Sequence, residues 1–490
     1  MRKVVITLLF LLALTPLASA QKYAITFNVD KPSGTQPDGS PVVDNGAHTM
    51  LYIAQYYRDE FIILDSTEVK ENGSMRVYAF NGKKKWETGM YALVDNRDAK
   101  KALFDFTIDG SQKFTYHLTH DYKVTNPEKD ISGSPANVAM HTYLYRFNDA
   151  KRRASEIEKK KQSGDPQAIE EADKEMDQLV KEMDAFELPY IQSHQHLLYF
   201  RLLDMFRGPD VPESVEDKPY YYRVHYWDGV TLDDHSLVRT PDLFNKMNYY
   251  FFGVLYHADM DTICKYADIV LHRIENDTLM MRYFMDYIMP KYYRSTKNVG
   301  WDAVWCYLVR KYYLSGKCGW AKESEIANKR QTCEFLEQSL IGAQGAELWM
   351  ADTNQSPDPK DWISSHRFPT RFVILWFWDP DCHHCQEQTA TLKTLYDSLA
   401  ATGNKLFEVY AIGYESDVNK WKKYVRDHQL PFVNVGGNNV NIDYQEAYNV
   451  HGAPTMIILD EHRRIIMNKV LPTQSILPFL HRWEEEHPLY

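Results

Sequence analysis

From Gln21 to about Lys123 the chain runs in short segments that are apolar or alternate in polarity. These are Tyr23–Val29, Thr49–Tyr57, Phe61–Leu64, Met75–Phe80, Met90–Val94, Leu103–Ile108 and Phe114–Leu118, punctuated by Asn72-Gly73, Asn81-Gly82 and Asp109-Gly110. Runs of this kind between turn-forming dipeptides predict an antiparallel β-sandwich over residues 21–130. At Asn137 the period changes. Met140, Leu144, Phe147, Ala150 or Lys151, Ala154 and Ile157 stand three or four apart, Ser163-Gly164-Asp165-Pro166 breaks the run, and Ile169, Ala172, Met176, Leu179, Met183 and Phe186 resume it. That spacing predicts an antiparallel helical hairpin at about 137–187 with one narrow apolar seam and a solvated charged face. Its second arm, about 22 residues, would be about 33 Å long. The helical pattern continues to about Leu340 with aromatic rows such as Tyr220-Tyr221-Tyr222 and Tyr249-Tyr250-Phe251-Phe252. It defines a central all-α domain, residues 131–340.

Residues 341–490 mix the two periods. A polar, proline-bearing stretch from Asn354 to Arg371 reads as a linker or loop, and the apolar run Phe372–Trp378 as a strand. Beyond it Leu392, Leu395 and Leu399 mark a helix, Leu406–Gly413 a strand, Asp417–His428 a helix, Phe432–Val435 a strand and Tyr444–Val450 a short helix. Thr455–Leu459 and Arg464–Val470 read as a hairpin, and Ser475–Glu486 as a closing helix. The sum is an α/β domain of order β-α-β-α-β-α-β-β-α.

Between its first strand and first helix stands Asp379-Pro380-Asp381-Cys382-His383-His384-Cys385. The predicted strand, turn and helix start put Cys382 at a helix N-terminus, where free backbone N–H groups and the helix dipole favour thiolate over thiol. Cys385 lies one turn inward, placed to resolve a mixed disulfide, so the pair can cycle between dithiol and disulfide. Zinc is the other chemistry that uses this spacing. It would need a second ligand pair, the remaining cysteines stand singly, and His383 and His384 sit inside the pair where tetrahedral closure is strained. No metal and no cofactor is expected.

Composition adds limits. A length of 490 residues suits about three domains, and 44% hydrophobic with 25% charged residues suits folded ones. A net charge of −11 argues against nucleic acid or an anionic membrane surface as the main partner. Met1-Arg2-Lys3, the apolar Val4–Leu17 and Ala18-Ser19-Ala20 have the layout of a signal peptide, residues 1–20. Export to the periplasm follows as an expectation, with no transmembrane anchor after cleavage. In an oxidising compartment Cys264, Cys306, Cys318 and Cys333 either form bridges or stay buried and unpaired. Cys318 with Cys333 is the first pairing to test.

Val450-His451-Gly452-Ala453-Pro454-Thr455, just before an apolar strand, is a second local signal. Together with Trp378, Cys382 and Cys385 it resembles the TlpA-like thioredoxin family of exported thiol-disulfide oxidoreductases, over about residue 341 to the end. The resemblance implies a thioredoxin fold, with Pro454 as a cis-proline beside the active disulfide that leaves the preceding backbone free to pair with an extended substrate. Some positions depart from the family pattern. Trp376 stands where many thioredoxins carry a buried acid, and Gln388 where TlpA-like reductases often place a glutamate, with Glu387 shifted by one. His384 occupies the position of a histidine in strongly oxidising relatives. The front of the chain resembles two domains of unknown function found in exported Bacteroidetes-type proteins. Ile63-Leu64-Asp65-Ser66, Gly73, Gly89-Met90-Tyr91 and Ile131-Ser132-Gly133-Ser134 carry the first likeness. Tyr226-Trp227-Asp228, Arg239-Thr240-Pro241 and Lys311–Lys317 with Trp320 carry the second.

The leading expectation is therefore disulfide exchange with protein substrates, with the reductase direction slightly favoured. Cys382 attacks, Cys385 resolves and Pro454 shapes the groove, while His383, His384, Trp378 and Glu387 modulate. Protein thiols or disulfides and a separate redox partner are the expected partners, with docking on the β-sandwich or helical domain as an option. One alternative is an envelope binding or scaffold protein whose disulfide is structural. A thiol peroxidase is the lesser one, because peroxiredoxins want threonine at the place of Asp379.

Overall fold

The computed structural model describes residues 21–33, 44, 47–162, 165–293, 298–403, 405–414 and 417–488. The predicted signal peptide, residues 1–20, lies outside the described residues, as do Ser163 and Gly164 of the predicted break. Among the described residues nine strands occupy the front: β1 Tyr23–Asp30, β2 Met50–Tyr57, β3 Glu60–Glu68, β4 Lys70–Asn72, β5 Met75–Gly82, β6 Gly89–Val94, β7 Phe104–Ile108, β8 Lys113–Leu118 and β9 Ile131–Ser132. They form two sheets, ordered β4-β5-β1-β8-β9 and β3-β2-β6-β7. Alternation along β1 turns Tyr23, Ile25, Phe27 and Val29 inward, where Phe27 meets Phe104 and Phe106 of the facing sheet. Every pair is antiparallel except β1 with β8, which run parallel. The two sheets thus make the expected sandwich with one parallel join.

Helices α1 Pro127–Asp130, α2 Pro135–Lys161 and α3 Pro166–His194 follow, then α4 Leu198–Phe206, α5 Lys218–His225 and α6 Pro241–Tyr249. Ser134 caps α2 and Asp165 caps α3, each accepting a first-turn N–H while proline opens the helix. The α2–α3 hairpin closes on Ile157, Ala172 and Leu179, with Arg153–Glu182 and Lys160–Glu175 pairs on its solvated flank. At its base α2 enters the sandwich. Asn137, fully buried, accepts the Thr107 N–H at 2.8 Å and donates to the Thr107 carbonyl at 2.9 Å. His141 stacks on Phe104 with ring centroids 5.1 Å apart. Burial without a charge partner pushes the His141 imidazole down to about 4.

Further on come α7 Met260–Ile274, α8 Thr278–Tyr292, α9 Trp301–Leu308 and α10 Glu323–Glu337, then β10 Trp349–Asp352, β11 Ile363–Ser364, β12 Phe372–Trp378, α11 His383–Ala401, β13 Phe407–Gly413, α12 Val418–Asp427, β14 Val433–Val440, α13 Tyr444–Ala447, β15 Thr455–Leu459, β16 Ile465–Met467 and α14 Thr473–Glu486. Seven strands make one sheet, β11-β10-β14-β13-β12-β15-β16, with β12 parallel to β13 and antiparallel to β15. All seven residues of β12 are buried. Phe372, Ile374, Trp376 and Trp378 face a core that contains residues of α11, α12 and α14; Val373, Leu375 and Phe377 face the other layer with Tyr448 and Val450. The chain divides into two compact units, Met1–Gly253 and Val254–Tyr490. Among the described residues no helix is long and apolar enough to cross a membrane.

Two local expectations change. The stretch read as a linker holds β11, a two-residue edge strand whose Ile363 carbonyl accepts the Tyr410 hydroxyl at 2.8 Å. The cysteine that faces Cys333 is Cys306, not Cys318. Helices α9 and α10 cross so that each sulfur of this pair lies within 4 Å of the other residue's carbonyl oxygen.

Candidate active site

Strand β12 ends at the buried Trp378, and the chain turns through Asp379 and Pro380. The Asp379 carboxylate accepts the Asp381 N–H at 2.8 Å, and its carbonyl accepts the Cys382 N–H at 3.1 Å. This local hydrogen bonding hands the chain from strand to helix and makes Cys382 the N-cap of α11. The Cys382 sulfur accepts the Cys385 N–H at 3.4 Å, so one of the helix's unpaired donors is aimed at it. It also lies 3.9 Å from the Ala453 carbonyl oxygen, on the loop that leads into β15. The Ala453–Pro454 bond is cis. Cys382, Cys385 and Pro454 are thereby gathered from positions 72 residues apart at their widest, because β12 and β15 are hydrogen-bonded neighbours.

The two sulfurs differ in setting. Cys382 is half-buried, whereas Cys385 is 0% exposed and belongs to the core beneath α11. Burial first, then the hydrogen bond to Cys382 and the nearby Asp379 charge, pushes the Cys385 thiol up to about 12. Where a buried acid was the family pattern, Trp376 fills the space with a fully buried indole whose N–H donates to Thr389 Oγ1 at 2.9 Å. Gln388 uses its amide elsewhere. It donates to the Leu471 carbonyl at 2.9 Å and to Thr473 Oγ1 at 3.1 Å, tying α11 to the start of α14.

Glu387, His383 and His384 lie on the solvent side of α11. The Glu387 carboxylate is 3.3 Å from His383 Nε2 and 3.6 Å from His384 Nδ1, with its side chain 62% exposed. Glu387 therefore engages the imidazoles. Trp378 is the floor of the site, edge-on to Tyr424 at 5.2 Å, and Tyr424 in turn stacks on His428. Lys420 of α12 pairs with Asp381 at 2.7 Å and holds the turn from the outside.

Sequence reasoning missed two contacts that helices α9 and α10 make around the Val450–Pro454 loop. The Phe335 ring on α10 lies 6.0 Å from that of His451, and Asp302 on α9 pairs with Lys469, just after β16, at 3.1 Å. A cavity of about 210 Å³ beside the Asp302–Lys469 pair is lined by Asp302, Asn449, His451, Gly452 and Lys469. No sequence motif marks these contacts, since each joins a helix to a loop more than 100 residues away.

Residues 370–465 match a family model described as thioredoxin-like, and residues 158–338 match a domain of unknown function, DUF5106. Similar solved structures include a thioredoxin-like protein from Bacteroides caccae, 18% identical, with 56% of this chain and 98% of that one covered at a TM-score of 0.45. Another is a domain of a "possible thiol-disulfide isomerase" from Cytophaga hutchinsonii, 27% identical, covering 30% of this chain and 95% of that one, TM-score 0.26. A third is the thioredoxin domain of a thiol-disulfide oxidoreductase from Bacteroides vulgatus, 18% identical, covering 29% and 97%, TM-score 0.24. No curated protein matches this chain. With its sheet order, its helix-capping Cys382 and the match over residues 370–465, the C-terminal domain of this chain is thioredoxin-like, and it follows a region that matches the DUF5106 model.

Proposed function

We propose that this chain is an exported thiol-disulfide oxidoreductase that exchanges disulfides with protein substrates and works in the reducing direction. The observation that carries the reading is the asymmetry of the pair. One sulfur is half-exposed at a helix N-cap with a backbone carbonyl beside it, and its partner is wholly buried behind it.

In the reaction the Cys382 thiolate attacks one sulfur of a substrate disulfide, and the other substrate sulfur leaves and takes up a proton. Cys385 then gives up its proton, attacks Cys382 and releases the second substrate thiol. The substrate gains two electrons and the pair becomes a disulfide, which a dithiol protein partner reduces again. The Ala453 carbonyl, which lies beside the Cys382 sulfur just before Pro454, supports docking of an extended peptide segment across Cys382. His383, His384 and Glu387 form a titratable rim that adjusts the charge a substrate meets. The layout of residues 1–20 supports export, and the periplasm as the place of action.

The test is a Cys385→Ser variant expressed in the native host. It should accumulate mixed disulfides with protein partners through Cys382, visible as reductant-sensitive bands, and the Cys382→Ser variant should not. Equal capture by both variants, or none by either, would sink the reading.

A further inference from the structure

Outside the candidate site, the structure places two more cysteines against each other. Cys306 on α9 is 3% exposed and Cys333 on α10 is 0% exposed. Cys306 Sγ lies 3.9 Å from the Cys333 carbonyl, and Cys333 Sγ lies 3.8 Å from the Cys306 carbonyl. Both sulfurs and a carboxylate oxygen of Glu337 fall within 4.8 Å of one another, and Cys333 Sγ is 3.3 Å from Glu337 Oε1.

A cluster of two sulfurs and a carboxylate has two chemical readings, a metal site or a disulfide. Three features favour the disulfide. The Glu337 carboxylate already receives both arms of the Arg310 guanidinium, which a divalent cation would have to displace. Metal binding needs two thiolates, yet the hydrogen bond to Cys333 and burial push the Cys306 thiol up. A disulfide carries neither charge nor proton, and so suits a site closed to water.

We propose that Cys306 and Cys333 form a disulfide that joins α9 to α10, separate from the Cys382–Cys385 couple. A low-molecular-weight disulfide such as glutathione disulfide is a sufficient oxidant. One cysteine thiolate attacks it, forming a protein–glutathione mixed disulfide and releasing one glutathione. The second cysteine attacks the protein sulfur of that mixed disulfide and releases the other. The protein pair loses two electrons, glutathione disulfide gains them, and the two protons end on the glutathione thiols. Burial requires the exchange to precede closure of α9 on α10, so the bridge forms during folding.

Its place gives it a role. Helix α9 contributes Asp302 to the pair with Lys469, and α10 contributes Phe335 to the contact with His451. A bond between the two helices fixes the spacing of these two contacts, one of which reaches the Val450–Pro454 loop.

The test uses the full chain with Cys382→Ala and Cys385→Ala, so that the active pair is silent. The protein is unfolded and reduced, refolded in a mixture of glutathione disulfide and glutathione, and alkylated in denaturant. Two of its four remaining thiols, Cys264 and Cys318, should react, and peptide mapping should recover the Cys306 peptide linked to the Cys333 peptide. Dithiothreitol should lower the thermal midpoint of this chain and leave unchanged a chain that also carries Cys306→Ala and Cys333→Ala. Four reactive thiols, a Cys318–Cys333 linkage, or stoichiometric zinc on free Cys306 and Cys333 would each overturn the proposal. If the quadruple variant fails to fold, the linkage map alone decides.

Discussion

Reducing the Cys382–Cys385 pair and following alkylation of Cys385 tests the asymmetry of the site directly. Burial raises the Cys385 thiol from its ordinary 9.0 to about 12. At pH 7.5 an ordinary thiol is about 3% thiolate, and one at 12 is about 0.003% thiolate, so the reactive species falls about a thousandfold. The assay is iodoacetamide labelling of fully reduced protein, with the Cys385 peptide quantified by mass spectrometry from pH 6.5 to 11, folded and in urea. Folded Cys385 should react at least about a thousandfold more slowly than unfolded Cys385 at pH 7.5 and climb about tenfold per pH unit without levelling off. Limited access alone would slow the reaction yet leave the unfolded protein's inflection in place, so the curve's shape separates the two causes. A folded rate within about tenfold of the unfolded one, or an inflection shared by both states, would refute the reasoning. Linkage supplies a second readout. A thiol raised in the folded state contributes stability that is fully present below about 9 and is lost as pH rises toward about 12. Cys264 and Cys318, both raised to about 12 by burial, contribute in the same sense. Only the difference between protein with the active pair reduced and oxidised belongs to that pair. Across this window the reduced protein should lose stability relative to the oxidised protein.

Thr389→Val keeps shape but strands the buried Trp376 N–H, and should cost about 1–3 kcal/mol in urea denaturation. Adding Trp376→Phe should recover part of that loss in the double variant's coupling energy; a Thr389→Val change under about 0.5 kcal/mol would show that the N–H finds another partner. Glu387→Gln removes two exposed helix pairs with His383 and His384, each worth under about 0.5 kcal/mol, so the rate of disulfide exchange should change by less than about fivefold. A larger loss would give Glu387 a part in proton transfer to or from Cys385.

The candidate chemistry was readable because it is local. Strand, turn, Cys382, Cys385 and helix lie within one short stretch, and Val450–Pro454 announces itself just before β15. The sandwich strands were readable for the same reason, since period-two runs and turn dipeptides are nearest-neighbour properties. Features set by pairing at a distance were not. The parallel join of β1 to β8 leaves no mark on either run, and Ile363–Ser364 is too short and polar to read as a strand without Tyr410 opposite. Cys318 is nearer to Cys333 in sequence than Cys306 is, but the rotation and crossing of α9 and α10 decide which sulfur arrives. Gln388 occupies an expected glutamate position, and its attachment to Leu471 and Thr473 depends on where α14 packs.

The entry of α2 into the sandwich bears on how such a chain can be cut and recombined. Composition changes near residue 130, and a gene fragment ending there would retain all of β1 to β8. It would also leave the Thr107 amide and carbonyl without Asn137, bare the face of Phe104 that His141 covers, and remove Val138 from the rim of the β core. The β module therefore owns the first two turns of a helix that continues beyond it. Exchange of this module between relatives would have to carry Ser134 through His141 along, so the transferable piece is defined by side-chain contacts and not by the point where strands give way to helices.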